Sequence, residues 1–317
     1  MTSATPQVPS FRLNDGTSIP AIGMGCWMGT PGGGERVKDM CRKALAVGYR
    51  HFDTVNYANE EKVGEAIAES EIPRAQLYVT TKPGNGDHHR VREAFEESLI
   101  KLNCGYVDMY LMHWPHAAEA TGRTLAPDES PTIVDTWIEM EKLLETGKVK
   151  SIGVSNFSIK ILSQLLDDPR TKVVPATNQV EMHPCLPQTN LKQFCESKGI
   201  LLTAYSPLEQ KMPLLLNTDA VTSIAQKHNS TPAQVLLSWG VQRGTVVIPK
   251  SEDEGRMKAN LTLIGLNQTD VKALEVLHMN DGMHRSLLAY HSVDPGKVFG
   301  WSYAQLGWNM KEGGIVA

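Results

Sequence analysis

The chain has 317 residues, 41% of them hydrophobic and 21% charged, and carries a formal net charge of −4 at pH 7. No block of basic residues stands out against this balance, so nucleic acid is not expected as a partner. The longest apolar runs, such as residues 107–112, are much shorter than a membrane span, and no membrane partner is expected either. This length suits one large α/β barrel or two smaller domains.

Five cysteines are scattered along the chain, and no two of them stand in a Cys-x-x-Cys pair. Such spacing indicates free thiols rather than a zinc site or a disulfide framework. The adjacent His88-His89 does not suggest a metal site either, because neighbouring side chains on a helix point apart, and no metal is expected. The first residues lack a basic stretch followed by an apolar run, so no secretory signal is predicted. These features favour a reducing compartment, most simply the cytoplasm.

The chain opens with a predicted β-hairpin in which residues 11–13 and 17–20 flank the turn Asn14-Asp15-Gly16. Short β-rich segments then alternate with longer segments of helical periodicity. Strands are predicted at 51–55, 77–82, 107–113, 151–155, 176–182, 201–206 and 245–249, with a weaker eighth at 261–264. Helices are predicted at 36–47, 61–70, 87–102, 132–145, 160–166, 188–197, 219–228 and 232–243.

This alternation predicts an α/β fold, because strands that alternate with helices form βαβ units and a parallel sheet. Parallel strands need cover on both faces, and seven or eight such units without a linker fit a closed (β/α)8 TIM barrel. We therefore expect a single barrel domain over residues 1–317. The irregular, aromatic-rich tail from about residue 281 is expected to form a C-terminal flap over one end of the barrel.

Polar side chains stand where the predicted strands end. In a (β/α)8 barrel the functional site lies at the C-terminal ends of the strands, so the fold would bring these side chains together. The side chains concerned are Asp53 (followed by Tyr57), Lys82, His113, Ser155, Asn156, Gln179, Glu181, Tyr205, Ser206, Lys250 and Ser251.

Four of these residues suggest proton donation to a carbonyl oxygen. An Asp53–Lys82 ion pair would place an ammonium near Tyr57 and lower the pKa of its phenol, which would make it a suitable general acid. His113 could donate a second hydrogen bond to the same oxygen. Because the pattern contains no activated protein nucleophile, it favours hydride transfer from a bound cofactor.

The last predicted strand is followed by a possible phosphate site. Barrels often bind phosphate in the loops after their seventh and eighth strands, at a short helix N-terminus. Lys250, Ser251 and Arg256 could hold a 2′-phosphate there, which favours NADP over NAD, and Asn260 follows at helical spacing. No Gly-x-Gly-x-x-Gly fingerprint follows a strand, so a nucleotide would be bound without a Rossmann fold.

At these positions the sequence resembles the aldo-keto reductase family, over nearly the whole chain. The order and spacing of the motifs agree with the family, which is more specific than any single motif. The matching stretches are Gly23-Met24-Gly25-Cys26-Trp27, His51-Phe52-Asp53-Thr54, Tyr57-Ala58-Asn59-Glu60, Val79-Thr80-Thr81-Lys82, Leu111-Met112-His113-Trp114-Pro115, Gly153-Val154-Ser155-Asn156-Phe157, Asn178-Gln179-Val180-Glu181 and Ile248-Pro249-Lys250-Ser251.

The resemblance implies NADPH-dependent reduction of aldehydes or ketones to alcohols. It makes Tyr57 the proton donor, tuned by Asp53 and Lys82, with His113 orienting the carbonyl. Tail motifs at 298–301 and 306–308 resemble those of fungal members that reduce small aldehydes and glycerol-type substrates. The substrate pocket would be lined by Trp27, Trp114 and Trp301.

The resemblance also implies how the cofactor is held. The nicotinamide carboxamide would be bound by Ser155, Asn156 and Gln179, and its ring would stack on Tyr205. Ser206 and Leu208 would contact the pyrophosphate. The adenosine 2′-phosphate end would be held by Lys250, Ser251, Arg256 and Asn260.

The sequence departs from the family pattern at three places. Only residues 54–56 separate Asp53 from Tyr57, where the family usually has four residues. Pro83-Gly84 replaces a commoner apolar or aromatic pair, and Glu209 stands where a small residue is commoner, close to the expected pyrophosphate. The short Asp53–Tyr57 segment motivates an alternative, an NADPH-binding regulatory or weakly active subunit. A lyase or isomerase that binds a sugar phosphate at Lys250-Ser251 is a further alternative.

Overall fold

The computed structural model describes residues 8–29, 33–56, 59–210 and 213–317. Within them, eight parallel strands pair in the order β10-β9-β8-β7-β6-β5-β4-β3. These strands are β3 (Met24–Gly25), β4 (His51–Asp53), β5 (Tyr78–Thr81), β6 (Val107–Met112), β7 (Val149–Ser155), β8 (Thr177–Glu181), β9 (Leu201–Tyr205) and β10 (Val246–Ile248).

Backbone hydrogen bonds join the first and last strands of this sheet and close it into a barrel. The amide of Gly23 donates to the carbonyl of Val247 at 2.9 Å, and the amide of Val247 donates to the carbonyl of Ala21 at 2.9 Å. The amide of Gly25 donates to the carbonyl of Pro249 at 3.0 Å. The predicted (β/α)8 barrel is therefore confirmed.

One predicted strand is wrong. Residues 261–264 follow a helix as an irregular segment, and the eighth barrel strand is instead β3 at Met24–Gly25. The apolar residues of 261–264 pack inward without pairing: Leu261 is buried, and the amide of Ile264 donates to Ser238 Oγ at 2.9 Å. An apolar run of this length is ambiguous in sequence because periodicity alone does not separate a short strand from buried coil.

Helices surround the barrel and cover its outer face. The eight predicted helices are confirmed to within a few residues, and two more, α9 and α10, were not among them. Their bounds are α1 (Glu35–Val47), α2 (Glu60–Glu69), α3 (Val91–Leu102), α4 (Ile133–Leu144), α5 (Ile159–Asp167), α6 (Thr189–Ser197), α7 (Asp219–Lys227), α8 (Pro232–Gln242), α9 (Glu254–Asn260) and α10 (Gln268–Glu275). Capping boxes begin α4 at Thr132 and α8 at Thr231, where the cap side chain accepts the backbone amide of the third helical residue.

The predicted N-terminal hairpin closes the bottom of the barrel. Strands β1 (Ser10–Arg12) and β2 (Ser18–Pro20) pair antiparallel around a turn in which Gly16 has a φ of 85°. Leu13 and Ile19 pack against residues of the barrel strands, and Asn14 Nδ2 donates to the carbonyl of Pro175 at 3.0 Å. The functional mouth is therefore left at the opposite end.

The C-terminal segment lies over that mouth, as predicted. It contains β11 (Lys297–Val298), β12 (Trp301–Ser302), α11 (Tyr303–Leu306), β13 (Met310–Lys311) and β14 (Ile315–Val316). Phe299 and Gly300 join β11 to β12 with φ values of 47° and 93°, as a tight two-residue hairpin requires. Thr124 Oγ1 donates to the carbonyl of Phe299 at 2.9 Å and ties this hairpin to the loop after β6.

None of the helices in the described ranges is both long and apolar enough to cross a bilayer.

Gly64 is a point of close approach between α2 and α3. A Cβ added there would lie 2.3 Å from the carbonyl oxygen of Leu102, which is backbone and cannot rotate away. We expect Gly64→Ala to lower the free energy of unfolding by about 1–3 kcal/mol, measured by urea unfolding, because the two helices would have to separate. Gly265→Ala is the matched control, since no atom lies within 4 Å of its added Cβ. Equal stability of the two variants would contradict this account of the packing.

Candidate active site

A buried ion pair stands at the C-terminal mouth of the barrel. Lys82 Nζ donates to Asp53 Oδ1 at 2.6 Å and to the carbonyl of Thr54 at 3.0 Å. Gln179 Nε2 donates to Asp53 Oδ2 at 2.7 Å. Asp53 and Lys82 are only 7% and 4% exposed, so both carboxylate oxygens are paired in a largely buried site. The barrel achieves this because Asp53 and Gln179 lie near the ends of β4 and β8, and Lys82 follows β5.

A second group of hydrogen bonds continues from Gln179 around the mouth. Ser155 Oγ donates to the carbonyl of Gln179 at 2.8 Å, and Asn156 Nδ2 lies 3.2 Å from Ser155 Oγ. The Tyr205 hydroxyl donates to Asn156 Oδ1 at 2.8 Å and lies 3.2 Å from the Tyr290 hydroxyl. The structure thus joins the predicted carboxamide-binding residues to one another and to Asp53.

His113 follows β6 at the same mouth. Its backbone carbonyl accepts a hydrogen bond from Asn156 Nδ2 at 2.9 Å. Burial of the ring, together with the positive charge of Lys82, holds the pKa of His113 well below its ordinary value. The imidazole is therefore neutral at physiological pH, which leaves one ring nitrogen as a donor and the other as an acceptor.

Tyr57 lies outside the described residues, so its predicted role stays a prediction. The described residues on either side of it are tied to the barrel. The amide of Asn56 donates to the carbonyl of Lys82 at 3.0 Å, and Asn56 Nδ2 donates to Asp87 Oδ2 at 2.6 Å. Asn59 Oδ1 accepts the amide of Gly33 at 2.7 Å.

An aromatic wall connects the mouth to the C-terminal segment. The ring of Trp114 lies 6.1 Å from that of His113, 5.8 Å from Tyr290 and 5.0 Å from Phe299. Trp301, also predicted to line the pocket, is buried and donates its Nε1 to the carbonyl of Leu125 at 2.7 Å. Trp27, the third predicted pocket tryptophan, follows β3 and is partly buried.

His116 is a member of this wall that the sequence analysis missed. Its ring lies 5.5 Å from Trp114 and 5.4 Å from Trp301 and is fully buried. Neither ring nitrogen has a hydrogen-bond partner within the part of the chain that the structure describes. Burial, with the nearby His88, lowers the pKa of His116 to about 3. An unpaired buried polar group costs about 1–3 kcal/mol, so this imidazole is not explained by stability.

The predicted phosphate site contains cations that already have a carboxylate partner. Glu252 accepts hydrogen bonds from Lys250 and from Arg36, whose Nη2 lies 2.8 Å from Glu252 Oε1. These cations lower the pKa of Glu252 to about 2, with Arg36 as the larger cause. The Arg256 side chain is 76% exposed, whereas Ser251 is buried. No sequence signal linked Arg36, at the start of α1, to this distant segment.

Asn260, which was predicted to contact the same end of the cofactor, lies on the buried side of α9. Ser206 and Leu208 lie just after β9, both partly buried, and Ser206 has a φ of 48°. Of the four residues predicted to contact the adenosine 2′-phosphate, Lys250 and Arg256 are exposed, whereas Ser251 and Asn260 are buried.

The Glu209 carboxylate is bonded to backbone amides a few residues further along the chain. Its Oε2 accepts the backbone amides of Leu215 at 2.8 Å and Leu216 at 3.4 Å. Both donors bond to this one oxygen, so the carboxylate links Glu209 to the segment that begins at Leu215.

Glu181, whose role the sequence did not decide, anchors the start of the C-terminal segment. Its carboxylate accepts hydrogen bonds from Ser286 Oγ at 2.5 Å, from the amide of Leu287 at 2.7 Å and from His183 Nε2 at 2.8 Å. These contacts hold the start of the C-terminal segment against β8. No group of three or more His, Cys, Asp or Glu side chains in the described ranges is placed to hold a metal ion.

Comparison with known proteins agrees with this geometry. Residues 21–278 match the Aldo/keto reductase family. The chain belongs to this family. It is 39% identical over 305 residues to a glycerol 2-dehydrogenase (NADP(+)) of Saccharomyces cerevisiae, covering 91% of this chain and 96% of that protein. It is also 39% identical over 292 residues to an aldehyde reductase of the same yeast, covering 87% and 93%. The fungal resemblance seen in the tail motifs is thus confirmed.

Solved structures show the same relationship. A Bombyx mori aldo-keto reductase in complex with NADP superposes with a TM-score of 0.79 at 33% identity, covering 85% of this chain and 92% of that one. An aldo/keto reductase from Brucella melitensis gives a TM-score of 0.75 at 39% identity, covering 85% and 99%.

The buried Asp53–Lys82 pair should be a strong determinant of stability. We expect Lys82→Met to lower the free energy of unfolding by about 3–5 kcal/mol, because it leaves a buried carboxylate without its cation. The double variant Asp53→Asn/Lys82→Met should recover part of this loss, as contacting groups are not additive. Urea unfolding followed by circular dichroism measures both.

The matched control is Lys43→Met, which breaks the exposed Lys43–Asp39 pair on α1 and should change stability little. If Lys82→Met were no more destabilising than this control, the mouth would not depend on the buried pair.

Proposed function

We propose that this protein is an NADPH-dependent oxidoreductase that reduces aldehydes or ketones to alcohols, with Tyr57 as the proton donor. The observation that carries the proposal is the continuous hydrogen-bonded group at the barrel mouth. It runs from the Lys82–Asp53 pair through Gln179 to the amide and hydroxyl groups of Ser155 and Asn156. A proton-transfer site and a carboxamide-binding site are thereby adjacent.

The residues present fit NADPH at both of its ends. Amide and hydroxyl side chains suited to a carboxamide gather at the mouth, and Tyr205 stands beside them at the end of β9. At the far end, the ammonium of Lys250 and the exposed guanidinium of Arg256 suit a 2′-phosphate, which only NADP carries. Glu209, accepting two amides of its own loop, does not oppose the pyrophosphate between these ends.

When bound, NADPH supplies the hydride that reduces the carbonyl carbon. The protein supplies the proton and the orientation of the carbonyl. In the proposed step, Tyr57 donates its phenolic proton to the carbonyl oxygen as negative charge develops there. The ammonium of Lys82 favours the resulting phenolate, and Asp53 holds that ammonium in place. Neutral His113 donates a second hydrogen bond to the same oxygen.

The relatives support the same reading. One is named for NADP(+)-dependent oxidation of glycerol and another for reduction of aldehydes, and a solved relative is a complex with NADP. We further propose that residues 1–317 act as one barrel domain. The five cysteines are free, and even the Sγ atoms of Cys26 and Cys41, 3.9 Å apart, form no disulfide. Free thiols suit a reducing compartment such as the cytoplasm.

Tyr57→Phe tests the proton donor. We expect kcat/KM for NADPH-dependent reduction of small aldehydes to fall about 10²- to 10⁴-fold, because a general acid is removed, while NADPH binding is retained. Nicotinamide absorbance reports turnover, and a fluorescence titration reports binding. Tyr106→Phe, at the opposite end of β6, is the control and should leave the rate unchanged. Tight NADPH binding with no wild-type turnover would instead support the regulatory-subunit alternative.

The Lys250–Glu252–Arg36 cluster should set the preference for NADPH over NADH. We expect Lys250→Met to lower the ratio of NADPH to NADH affinity about tenfold, since a charge-assisted bond to the 2′-phosphate is lost. Glu252→Gln should raise the same ratio, because it releases Lys250 and Arg36 from a competing carboxylate. Calorimetric titration with each nucleotide measures the ratio, and identical ratios in all three proteins would refute this placement of the phosphate.

A further inference from the structure

The unpaired imidazole of His116 lies in the aromatic wall of the proposed substrate site. Trp114 contacts the rings of both His113 and His116, at 6.1 and 5.5 Å, so one indole connects the two imidazoles. His113 is the proposed carbonyl-orienting group. The His116 ring is therefore separated from the proposed carbonyl-orienting group by a single indole.

Residues at the tip of the β11–β12 hairpin cover the His116 ring. The ring of Phe299 lies 6.1 Å from that of His116, and Trp301 lies 5.4 Å from it on the same hairpin. Phe299 is 49% exposed and has a φ of 47°, in the left-handed region that costs energy for a residue with a side chain. Of the two covering rings, Phe299 is the one that solvent reaches, and its movement would expose the imidazole to the mouth.

The chemistry of His116 defines what it can bind. The ring is neutral at physiological pH and therefore offers one N–H donor and one acceptor nitrogen. Neither is used within the described parts of the chain. A hydroxyl group is both a donor and an acceptor, so one hydroxyl can pair with either nitrogen. A plain alkyl group would leave both nitrogens unpaired, as they are without a substrate.

We propose that His116 is a specificity-determining residue that binds a hydroxyl group of the substrate, so that this reductase prefers hydroxyaldehydes to alkyl aldehydes of the same length. This inference rests on the proposed carbonyl reduction. It gives the buried imidazole a hydrogen-bond partner that packing does not provide. An apolar side chain would fill the same space between three aromatic rings without leaving polar atoms unpaired.

The test compares matched aldehydes in matched variants. Propanal, 2-hydroxypropanal, 3-hydroxypropanal and glyceraldehyde are reduced with NADPH by the wild type and by His116→Leu, His116→Asn and His88→Leu. We expect the wild type to prefer at least one hydroxylated aldehyde about tenfold or more in kcat/KM, through a lower KM. His116→Leu should lower kcat/KM for the hydroxylated aldehydes more than for propanal and so lose this preference, and His116→Asn, which retains a donor and an acceptor, should keep most of it.

His88→Leu is the control for removal of a buried histidine. His88 is also buried, but one of its ring nitrogens is paired, since its Nδ1 lies 3.1 Å from Thr136 Oγ1. This variant should lower the melting temperature without changing the preference among aldehydes. An unchanged preference in His116→Leu, or an equal loss in His88→Leu, would overturn the assignment.

Equilibrium binding separates this inference from the proposed function. Glycerol and propan-1-ol are titrated into the protein with NADP⁺, and tryptophan fluorescence is followed, because Trp114 and Trp301 flank the imidazole. We expect glycerol to bind more tightly than propan-1-ol, and His116→Leu to abolish the difference. Absence of turnover with every aldehyde would defeat the proposed function, whereas equal binding of the two alcohols to the wild type would defeat the role of His116.

Discussion

The Asp53 carboxylate is the constraint on which the mouth of this barrel depends. It is buried, and a buried charge is tolerated only when its oxygens are paired. Lys82 and Gln179 pair both oxygens, from the ends of strands on different sides of the barrel. Because Gln179 also lies next to Ser155, the same carboxylate sets the position of the ammonium and of the amide groups. The proposed proton transfer and cofactor binding therefore share one structural element.

A second layer of constraint comes from the C-terminal segment. Glu181 holds the start of this segment at the barrel, and Tyr290 reaches the Tyr205 hydroxyl. The same segment supplies Phe299, whose ring packs on Trp114 after β6. Residues of the proposed cofactor site and of the proposed substrate site are thus joined through one segment of the chain. The match to the family ends at residue 278, before most of this segment.

Much of the fold was predictable from particular residues. Apolar segments that end in Asp53, Lys82 and Gln179 indicated strands whose polar ends would meet, and the structure confirms that these three side chains are in contact. The weak eighth strand was placed wrongly because the two-residue strand Met24–Gly25 is too short to show periodicity. Its place in the sheet is defined by its pairing with β4 and by the bond from the amide of Gly25 to the carbonyl of Pro249, which follows β10.

The sequence by itself determined the order of the elements, the barrel class and the polar residues at the strand ends, because these follow from local periodicity and from motif spacing. Only the tertiary structure decided which charges pair and which polar groups stay unpaired. Arg36 meets Glu252 across 216 residues of chain, Glu209 turns into its own loop, and His116 is enclosed by rings from the distant tail. Such contacts depend on where separate segments pack in space, and no local pattern in the chain encodes them.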